Sequence, residues 1–311
     1  MPLARIDDDE PLDCLIIGGG PAGLTAAIYC ARFLLTTLVI DAGGGRAASI
    51  PRTHNHAAFP GGIAGRELLD RIAEQARENG ATIATGRVTA IRRRGPLFIA
   101  EHDGGIVVAR SVLLATGIED HRPAMDAVSH DDALARGLIR YCPICDGFEV
   151  RDKEVAVIGT GSHGAREARF LRSYTRFVTL VAADGPHDLS ADERKELDRL
   201  GVTTPDGPTK DFRVEDDKLS LTANGKRLSF DTAYPALGAT IHSELAVSLG
   251  AAARDGGCLL VDDHARTSIA GLYAAGDVVL GLDQISGAMG QAALAATTIR
   301  NDLAEQAERV R

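Results

Sequence analysis

The sequence predicts an α/β protein with two Rossmann-like three-layer dinucleotide-binding domains, the second inserted into the first and each carrying a β-meander. Two observations support this fold class. A short apolar strand, a glycine-rich turn, a helix and a second strand follow one another near the start of the chain and again from Val155. The chain has 311 residues, which suits two domains because a domain holds roughly 150 residues on average.

The first of these units runs from Leu12 to Asp41. Residues 12–17 form an apolar run too short for a helix, residues 22–34 repeat apolar side chains at helical spacing, and residues 37–40 form a second strand. A strand, a helix and a strand within this length are typical of the βαβ unit that binds dinucleotides.

The glycines of the turn each have a separate role in such a unit. Gly18 permits a tight bend, Gly20 lets the backbone approach a pyrophosphate, and Gly23 lets the helix pack closely on the strand. The phosphates then meet the N-terminus of the helix, where free N–H groups favour an anion. Asp41 ends the second strand, where its carboxylate can accept both ribose hydroxyls of an adenosine.

The second unit repeats the glycines of the first, as Gly159, Gly161 and Gly164. Its second strand is predicted over 177–181, and the position that corresponds to Asp41 is Ala182, so no carboxylate ends that strand. Asp184 lies two residues later and can still reach a ribose, whereas Asp184 and Asp188 would repel the 2′-phosphate of NADP. The unit is expected to fold, and its binding of NADH or NADPH is left open.

The remaining elements follow from periodicity and turn residues. In chain order we predict a helix over 67–79, meander strands over 88–91, 97–100 and 106–109, a buried strand over 112–115, a second meander over 211–230 with a hairpin turn at Asn224-Gly225, and a helical tail over 285–308. We assign this helical tail to the first domain, which makes the second domain an insertion. We therefore expect residues 1–118 and 241–311 to form the first domain and residues 119–240 the inserted one.

Cys142 and Cys145 are the one close pair among five cysteines. The chain has no second CxxC and no nearby histidine pair, so tetrahedral zinc would lack its other ligands, and we expect no metal site. CxxC spacing lets the two sulfurs bond, which favours a redox disulfide. Asp146 follows directly and can shuttle a proton to the departing thiol. The other cysteines, Cys14, Cys30 and Cys258, are interpreted as small buried hydrophobic residues.

Charge and cysteine usage exclude several classes of function. The 34 basic and 43 acidic residues give a net charge of −9, so the basic surface that nucleic acids or anionic membranes require is missing. The acidic run Asp7-Asp8-Asp9-Glu10 is the opposite of the basic start of a signal peptide. Five cysteines are too few for a secreted disulfide scaffold, and we expect a reducing cytoplasm.

Several motifs together resemble those of the low-molecular-weight thioredoxin reductases. In the order of that family, they are GGGPAGL at 18–24, LLATG at 113–117, CPICDG at 142–147, VIGTG at 157–161 and YAAGD at 273–277. The CxxCDG directly before the second glycine motif is the specific feature, because glycine motifs alone occur in many flavoproteins.

The resemblance implies FAD held by the outer segments, an inserted nicotinamide-binding domain that rotates, and a homodimer. It places Cys145 beside the flavin, Gly276 and Asp277 at the ribityl and pyrophosphate region, and Gln284 with Ile285 at the pyrimidine edge of the flavin. The FAD-binding residues that it implies are Gly18, Gly20, Pro21, Ala22, Gly23, Asp41, Ala115, Thr116, Gly117, Gly276, Asp277, Gln284 and Ile285.

Two features depart from the family pattern. Members that use NADPH carry HRRxxxR after the second strand of the inserted domain, where this chain has alanine and aspartate. The segment 53–61 adds His54 and His56 near the expected flavin, and we favour packing or surface roles for both.

The function predicted is FAD-dependent thiol-disulfide exchange, in which the flavin reduces Cys142–Cys145 and the dithiol reduces a thioredoxin-like or small disulfide substrate. The electron donor stays open between NADH, NADPH and a protein such as ferredoxin. One alternative is a dithiol oxidase that passes electrons from the cysteines to the flavin and then to oxygen, without a nicotinamide nucleotide. Another is a flavin-binding sensor whose redox state alters docking to a partner.

Overall fold

The computed structural model describes residues 10–306. Residues 7–9 of the acidic run and residues 307–308 of the predicted tail therefore lie outside the described residues. Residues 10–50, 63–119 and 240–306 make up one compact part of the chain, called unit 1 below. Residues 51–62 and 120–239 make up the other, called unit 2.

The regular elements alternate as an α/β chain should, which confirms the predicted fold class. In chain order they are β1 (Leu12–Ile17), α1 (Pro21–Arg32), β2 (Thr37–Asp41), α2 (Gly65–Glu78), β3 (Thr82–Thr85), β4 (Val88–Arg94), β5 (Leu97–His102), β6 (Gly105–Leu114), β7 (Ile118–Asp120), α3 (Ala127–Ala135), α4 (Pro143–Asp146), β8 (Val155–Ile158), α5 (Gly161–Leu171), β9 (Val178–Val181), α6 (Ala191–Arg199), β10 (Lys210–Glu215), β11 (Lys218–Ala223), β12 (Lys226–Phe230), β13 (Thr232–Pro235), β14 (Ala239–Ile241), α7 (Glu244–Ser248), β15 (Leu272–Ala274) and α8 (Ile285–Gln306). Short 3₁₀ turns precede α2 and follow α4.

Unit 1 is built on a mixed sheet with strand order β3-β2-β1-β6-β5-β4, and β15 also pairs with β6. The strands β3, β2, β1, β6 and β15 run parallel, whereas β4, β5 and β6 form an antiparallel meander. Helices α1 and α8 pack on each other. The strand side chains are apolar on both faces of the sheet, as in β1 from Cys14 onward, because helices and the connecting segments cover the sheet.

The prediction of two strands over 106–109 and 112–115 is wrong, because β6 is one continuous strand. Arg110 and Ser111 suggested a break, but each is accommodated within the strand. The side chain of Arg110 is exposed, and its guanidinium donates to the carbonyl of Pro11. Ser111 is buried, and its hydroxyl donates to the carbonyl of Asp13 at 2.6 Å. A satisfied hydroxyl costs little when buried.

Unit 2 contains a smaller parallel sheet with the order β13-β8-β9 and a separate antiparallel meander, β10-β11-β12. Helix α5 packs on β8 and β9 through its buried face, which includes Ala165, Ala168 and Leu171. The predicted hairpin turn is present: Asn224 and Gly225 both have positive φ, at 46° and 70°. These angles are those of a type I′ turn.

The chain passes between the two units in β7 and β14, which pair with each other.

Within residues 10–306, no helix is both long enough and apolar enough to cross a membrane. Two of the three cysteines expected to be buried, Cys14 and Cys30, are fully buried. Cys258 is only partly buried, since it lies in the turn after Gly257.

The C-terminal helix is fixed near its end by a polar cluster in unit 1. Arg266 donates two hydrogen bonds to the carboxylate of Asp302, at 2.8 and 2.6 Å. The hydroxyl of Tyr273, on β15, donates to the same carboxylate at 2.7 Å. The Arg266 guanidinium and, more weakly, this hydroxyl hold the pKa of Asp302 below its usual value, against the opposing effect of burial. Ionised Asp302 therefore stabilises the fold.

We expect the substitution Asp302→Asn to lower the free energy of unfolding by about 1 kcal/mol at neutral pH, because it removes charge-assisted hydrogen bonds to a partly exposed arginine. The folded pKa is lowered, so this contribution is present above the unfolded value of about 3.9 and is lost as the pH falls through the folded pKa. Denaturant titrations at several pH values check this. Glu305→Gln, at an exposed position of the same helix, should change nothing, and an equal loss in both variants would contradict the prediction.

Candidate functional site

The glycine turn of unit 1 is folded tightly against the end of β6. Gly18 has φ = +104°, and a Cβ there would lie 2.3 Å from the carbonyl oxygen of Ala115. A Cβ on Gly23 would lie 1.9 Å from the carbonyl oxygen of Gly18. No other side chain fits at either position, so both glycines are needed for the turn itself.

Gly20 differs from these two glycines, because a Cβ added to it would meet no atom within 4 Å. Its backbone is extended, with φ = −75°, and it directly precedes α1, which begins at Pro21. No side chain caps the helix N-terminus there. The turn therefore leaves an open face beside N–H groups that have no partner within the helix, which is the arrangement that binds phosphate.

Asp41 ends β2 next to this turn. One oxygen of its carboxylate accepts the N–H of Gly19 at 2.9 Å. The carboxylate thus lies beside the glycine turn, where a ribose attached to a bound pyrophosphate would be found. The predicted residues of the first glycine motif and Asp41 are brought together.

The first turn of α8 lies near the first turn of α1. A Cβ on Gly276 would lie 3.0 Å from Cβ of Ala22, in α1, and 3.7 Å from Cβ of Ala288, in α8. The N–H of Gly276 donates to Oε1 of Gln291 at 2.8 Å, which holds the turn against α8. The positive ends of two helix dipoles therefore approach one region, and this favours an anionic ligand.

Other predicted residues lie on segments around the same region. Asp277 forms an ion pair with Arg46 at 3.4 Å. Thr116 follows β6, and its hydroxyl donates to the carbonyl of His242 at 2.5 Å. Gln284 and Ile285 are half-buried at the start of α8.

The residues of unit 1 fit FAD. The open face of Gly20 and the two helix ends suit a pyrophosphate, and Asp41 suits the adenosine ribose. The segment after β6, which contains Ala115, Thr116 and Gly117, borders the same turn, since Ala115 contacts Gly18. The predicted FAD residues on the glycine turn, β6 and the Gly276 turn thus surround one region of unit 1.

The cysteine pair lies in unit 2 as a disulfide between Cys142 and Cys145, with the Cα atoms 5.2 Å apart. Cys142 precedes the short helix α4, and the N–H of Cys145 is shared between the carbonyl oxygen of Cys142 at 2.9 Å and the sulfur of Cys142 at 3.2 Å. An N–H donor directed at a sulfur stabilises negative charge on it, so the turn favours a thiolate at Cys142 once the bond is reduced. Both cysteines are half-buried, so the disulfide is reachable.

Gly147 completes the motif for a steric reason. A Cβ at this position would lie 2.6 Å from the ring of Tyr174. The ring of Tyr174 therefore packs directly on the backbone behind Asp146. This contact holds the residue after the cysteine pair in place.

Both carboxylate oxygens of Asp146 are hydrogen-bonded. Arg140 donates to one oxygen at 2.7 Å, and the Tyr234 hydroxyl donates to the other at 2.7 Å. Tyr234 is fully buried. Burial, followed by the nearby Asp146 carboxylate, raises the pKa of Tyr234 far above its usual value. The phenol therefore remains a proton donor to Asp146 at any physiological pH.

Strand pairing explains why Arg140 and Tyr234 meet at Asp146. Ile139 bridges to Ala233 in β13, and the N–H of Arg140 donates to the carbonyl of Ala233 at 2.9 Å. The segment before the cysteines thus runs beside β13. Arg140 follows Ile139, Tyr234 follows Ala233, and both side chains reach the carboxylate of Asp146. Sequence reasoning missed both residues. A basic residue two positions before a CxxC was a usable signal for Arg140, but nothing local marked Tyr234.

Two other groups of predicted residues lie in unit 2. Gly159, Gly161 and Gly164 lie at the end of β8 and the start of α5. His54 is exposed in the loop 51–62, and the ring of His56 stacks on Phe59 with the centroids 5.6 Å apart.

Sequence reasoning also missed two residues of unit 1 that support the Gly276 turn. Arg46 pairs with Asp277, and Gln291 accepts the N–H of Gly276.

Known proteins resemble this chain in both sequence and fold. A model of the pyridine nucleotide-disulphide oxidoreductase family matches residues 12–292. The chain is 34% identical over 277 residues to the thioredoxin reductase of Treponema pallidum, covering 86% of this chain and 88% of the relative. It is 32% identical over 281 residues to the bifunctional thioredoxin reductase/thioredoxin of Mycobacterium leprae, covering 86% of this chain and 60% of the relative's length. The crystal structure of thioredoxin reductase from Streptococcus pyogenes superimposes with a TM-score of 0.86 at 27% identity, covering 94% of this chain and 98% of the other.

The different surroundings of Gly20 and Gly23 predict different outcomes for the same substitution. Gly20→Ala should leave the fold intact and lower FAD affinity about tenfold or more, which is about 1.4 kcal/mol, because the methyl group enters the space that the pyrophosphate needs. Gly23→Ala should lower the free energy of unfolding by about 1–3 kcal/mol, because its methyl group has no room. Flavin content and denaturant titration of the apoproteins measure the two effects. Full flavin affinity in Gly20→Ala would contradict the assigned pyrophosphate position.

Proposed function

The chain belongs to the pyridine nucleotide-disulphide oxidoreductase family, and from this premise we propose which residues perform its chemistry and on what substrate. The protein is an FAD-dependent thiol-disulfide oxidoreductase. Bound FAD supplies a carrier that accepts and gives up electrons in pairs. The residues of unit 1 assigned above hold it, and Cys142 and Cys145 exchange the electron pair with it. The observation that carries this proposal is the Cys142–Cys145 disulfide in the CxxCDG turn, followed directly by the hydrogen-bonded carboxylate of Asp146.

The chemistry at the pair follows from thiol-disulfide exchange. Two electrons and two protons convert the Cys142–Cys145 disulfide into two thiols. The Cys142 thiolate, which the N–H of Cys145 stabilises, attacks a substrate disulfide and releases one substrate thiol. Cys145 then attacks Cys142 in the mixed disulfide, restores the Cys142–Cys145 bond and releases the second substrate thiol. The same steps run backward when a dithiol reduces the pair.

Asp146 is assigned to proton transfer at this pair. It directly follows Cys145, and each released thiolate needs a proton. Arg140 and Tyr234 act through Asp146 and are positioning residues. The guanidinium and the buried phenol each donate to one oxygen of the carboxyl group, and together they fix its plane. Asp146 can therefore take up a proton and return it without changing its place.

A thioredoxin-like protein or a small dithiol or disulfide is the proposed substrate. The two relatives and the solved structure described above carry thioredoxin reductase in their names, which supports this class. Ile144 lies between the two cysteines in the chain and Phe148 lies three residues after Cys145. Their side chains are 54% and 61% exposed. Apolar side chains exposed beside a reactive disulfide suit contact with a protein surface.

The organisation proposed from the sequence is retained. Residues 1–118 and 241–311 are proposed as the FAD-binding domain, and residues 119–240 as the inserted domain that carries the CxxC. A homodimer and a cytoplasmic location are proposed with them. Thiols kept reduced in the core, as at Cys14 and Cys30, accord with a reducing compartment.

Cys142→Ser and Cys145→Ser should each abolish electron exchange between dithiols and the flavin, because neither variant can form the disulfide. Anaerobic bleaching of the flavin by dithiothreitol, and by reduced thioredoxin, measures this exchange without assuming a nicotinamide donor. Both variants should fall to the background rate of free FAD, whereas the control Cys258→Ser should keep the wild-type rate. A wild-type rate in either variant of the pair would refute the proposal.

Arg140 and Tyr234 are proposed to act through Asp146, so their substitutions should slow dithiol-dependent bleaching only while Asp146 is present. Arg140→Gln should lower the rate about tenfold, because a hydrogen bond to a charged group contributes about 1.5 kcal/mol. In an Asp146→Asn background the same substitution should change the rate little. Tyr234→Phe should lower the rate by less than Arg140→Gln.

The conservative variant Arg140→Lys keeps the positive charge, so it should restore most of the rate. A purely structural role would lower the rate by the same factor in the Asp146→Asn background as in the wild type. That result would remove Arg140 and Tyr234 from the proposed mechanism.

A further inference from the structure

The glycine turn of unit 2 keeps two of the three roles seen in unit 1. A Cβ on Gly159 would lie 2.7 Å from the carbonyl oxygen of Ala236, just as Gly18 abuts the end of a neighbouring strand. A Cβ on Gly164 would lie 3.0 Å from the side chain of Leu180 and 3.1 Å from the backbone of Gly159. These glycines are needed so that α5 can pack on the sheet.

Gly161 holds the position at which a dinucleotide pyrophosphate approaches such a turn. The carbonyl oxygen of Asp188 lies 3.3 Å from the Cβ position of Gly161, whereas the matching position on Gly20 has no atom within 4 Å. The backbone also differs, since Gly161 has φ = +60° and Gly20 is extended at −75°. The outer face of this glycine is therefore open in unit 1, whereas in unit 2 a backbone carbonyl oxygen of the protein lies beside it.

A chain of hydrogen bonds holds Asp188 over the turn. The N–H of Asp188 donates to the hydroxyl of Thr160 at 2.7 Å, and this hydroxyl lies 3.2 Å from Nδ1 of His187. Nε2 of His187 faces two acceptors, the carbonyls of Leu180 and Pro205, at 3.0 and 3.1 Å. Nε2 therefore carries the proton, and Nδ1 accepts from Thr160. Thr160, the residue between Gly159 and Gly161, is thus tied to the segment that covers them.

The segment itself is fixed from its other side. His187 is 6% exposed, and burial lowers its pKa, which keeps the ring neutral at neutral pH. Its N–H donates to Asp206 at 2.9 Å, and its carbonyl accepts from Arg194 at 3.0 Å. The N–H of Gly207 donates to the carbonyl of Gly185 at 2.7 Å. Residues 185–188 are therefore bound to the 205–207 turn and to α6 as well as to the glycine turn.

The charge of this segment also opposes a dinucleotide. The carbonyl dipole of Asp188 presents its negative end where a pyrophosphate would approach Gly161. The segment carries two carboxylates, Asp184 and Asp188, and the residues that follow β9, Ala182 and Ala183, are not basic. A pyrophosphate at this place would meet these negative charges and the carbonyl oxygen of Asp188, and both raise its free energy.

We infer that the glycine turn of unit 2 is closed by residues 184–188 and binds neither NADH nor NADPH, so that a nicotinamide nucleotide is not the electron donor of this enzyme. The inference rests on the proposed function in one respect, since that function names the flavin and the cysteine pair as the groups that receive the electrons. The electrons then enter from a dithiol substrate, which is oxidised to its disulfide, or from a protein donor such as ferredoxin.

The decisive measurement is equilibrium dialysis of the FAD-loaded protein against NADH and, separately, NADPH under anaerobic conditions. No retention of either nucleotide is expected, with a nicotinamide-dependent thioredoxin reductase as the positive control. In the same samples neither nucleotide should bleach the flavin. Stoichiometric retention or fast bleaching with either nucleotide would overturn the inference.

A pair of variants tests the closure itself. Thr160→Ala removes the hydroxyl that links Asp188 to His187, and it should give detectable retention of NADH. Ser162→Ala changes an exposed hydroxyl two residues further along and should retain none. Equal retention by the two variants would overturn the assignment of the closure to Thr160.

Dithiothreitol is added last to separate this inference from the proposed function. Bleaching by the dithiol, with no nucleotide retained, supports both. Failure of the dithiol to bleach the flavin would refute the thiol-flavin exchange, while the dialysis would still decide nucleotide binding.

Discussion

The close approach of a glycine turn to the end of a parallel strand is the constraint on which both units depend. At Gly18 and Gly159 a single added carbon would lie 2.3 and 2.7 Å from the carbonyl oxygen of the residue that follows the neighbouring strand, Ala115 after β6 and Ala236 after β13. Without these contacts, α1 and α5 could not pack on their sheets. The glycines at these positions are therefore required by packing whether or not a ligand binds, and ligand binding depends on the one glycine whose outer face stays free.

The region assigned to the flavin arises from two distant parts of the chain in unit 1. Gly276 follows β15, and β15 pairs with β6 in the same sheet as β1. This pairing brings the turn before α8 to the turn before α1, so that both helix N-termini approach the same space. At the far end of α8, Arg266 and Tyr273 hold Asp302. The helix is thus fixed near both ends, and its N-terminus is held in place for an anionic ligand.

The cysteine pair depends on a second kind of support. Its turn is short, so its geometry comes from neighbours: the ring of Tyr174 against Gly147, and Arg140 and Tyr234 on Asp146. Pairing between Ile139 and β13 supplies the last two. A buried phenol and a guanidinium on one carboxylate hold it more rigidly than solvent would, since each occupies a different oxygen. The sulfurs of the disulfide remain accessible while the carboxyl group proposed for proton transfer is held still.

Local patterns of residues were enough to predict the α/β fold class, the places of both glycine turns, the Asn224-Gly225 hairpin and the cysteine pair, because each depends on local spacing or on the conformational freedom of glycine. They also predicted two strands separated at Arg110 and Ser111, where the structure has one strand in which the buried Ser111 hydroxyl is hydrogen-bonded. They did not reveal Arg140 or Tyr234 at Asp146. Gly20 and Gly161 have the same place in the same motif, and they differ in the folded chain alone. The reason is physical: whether the outer face of a turn is open depends on which distant backbone lies against it, and the 184–188 segment reaches Gly161 through hydrogen bonds that no local pattern encodes.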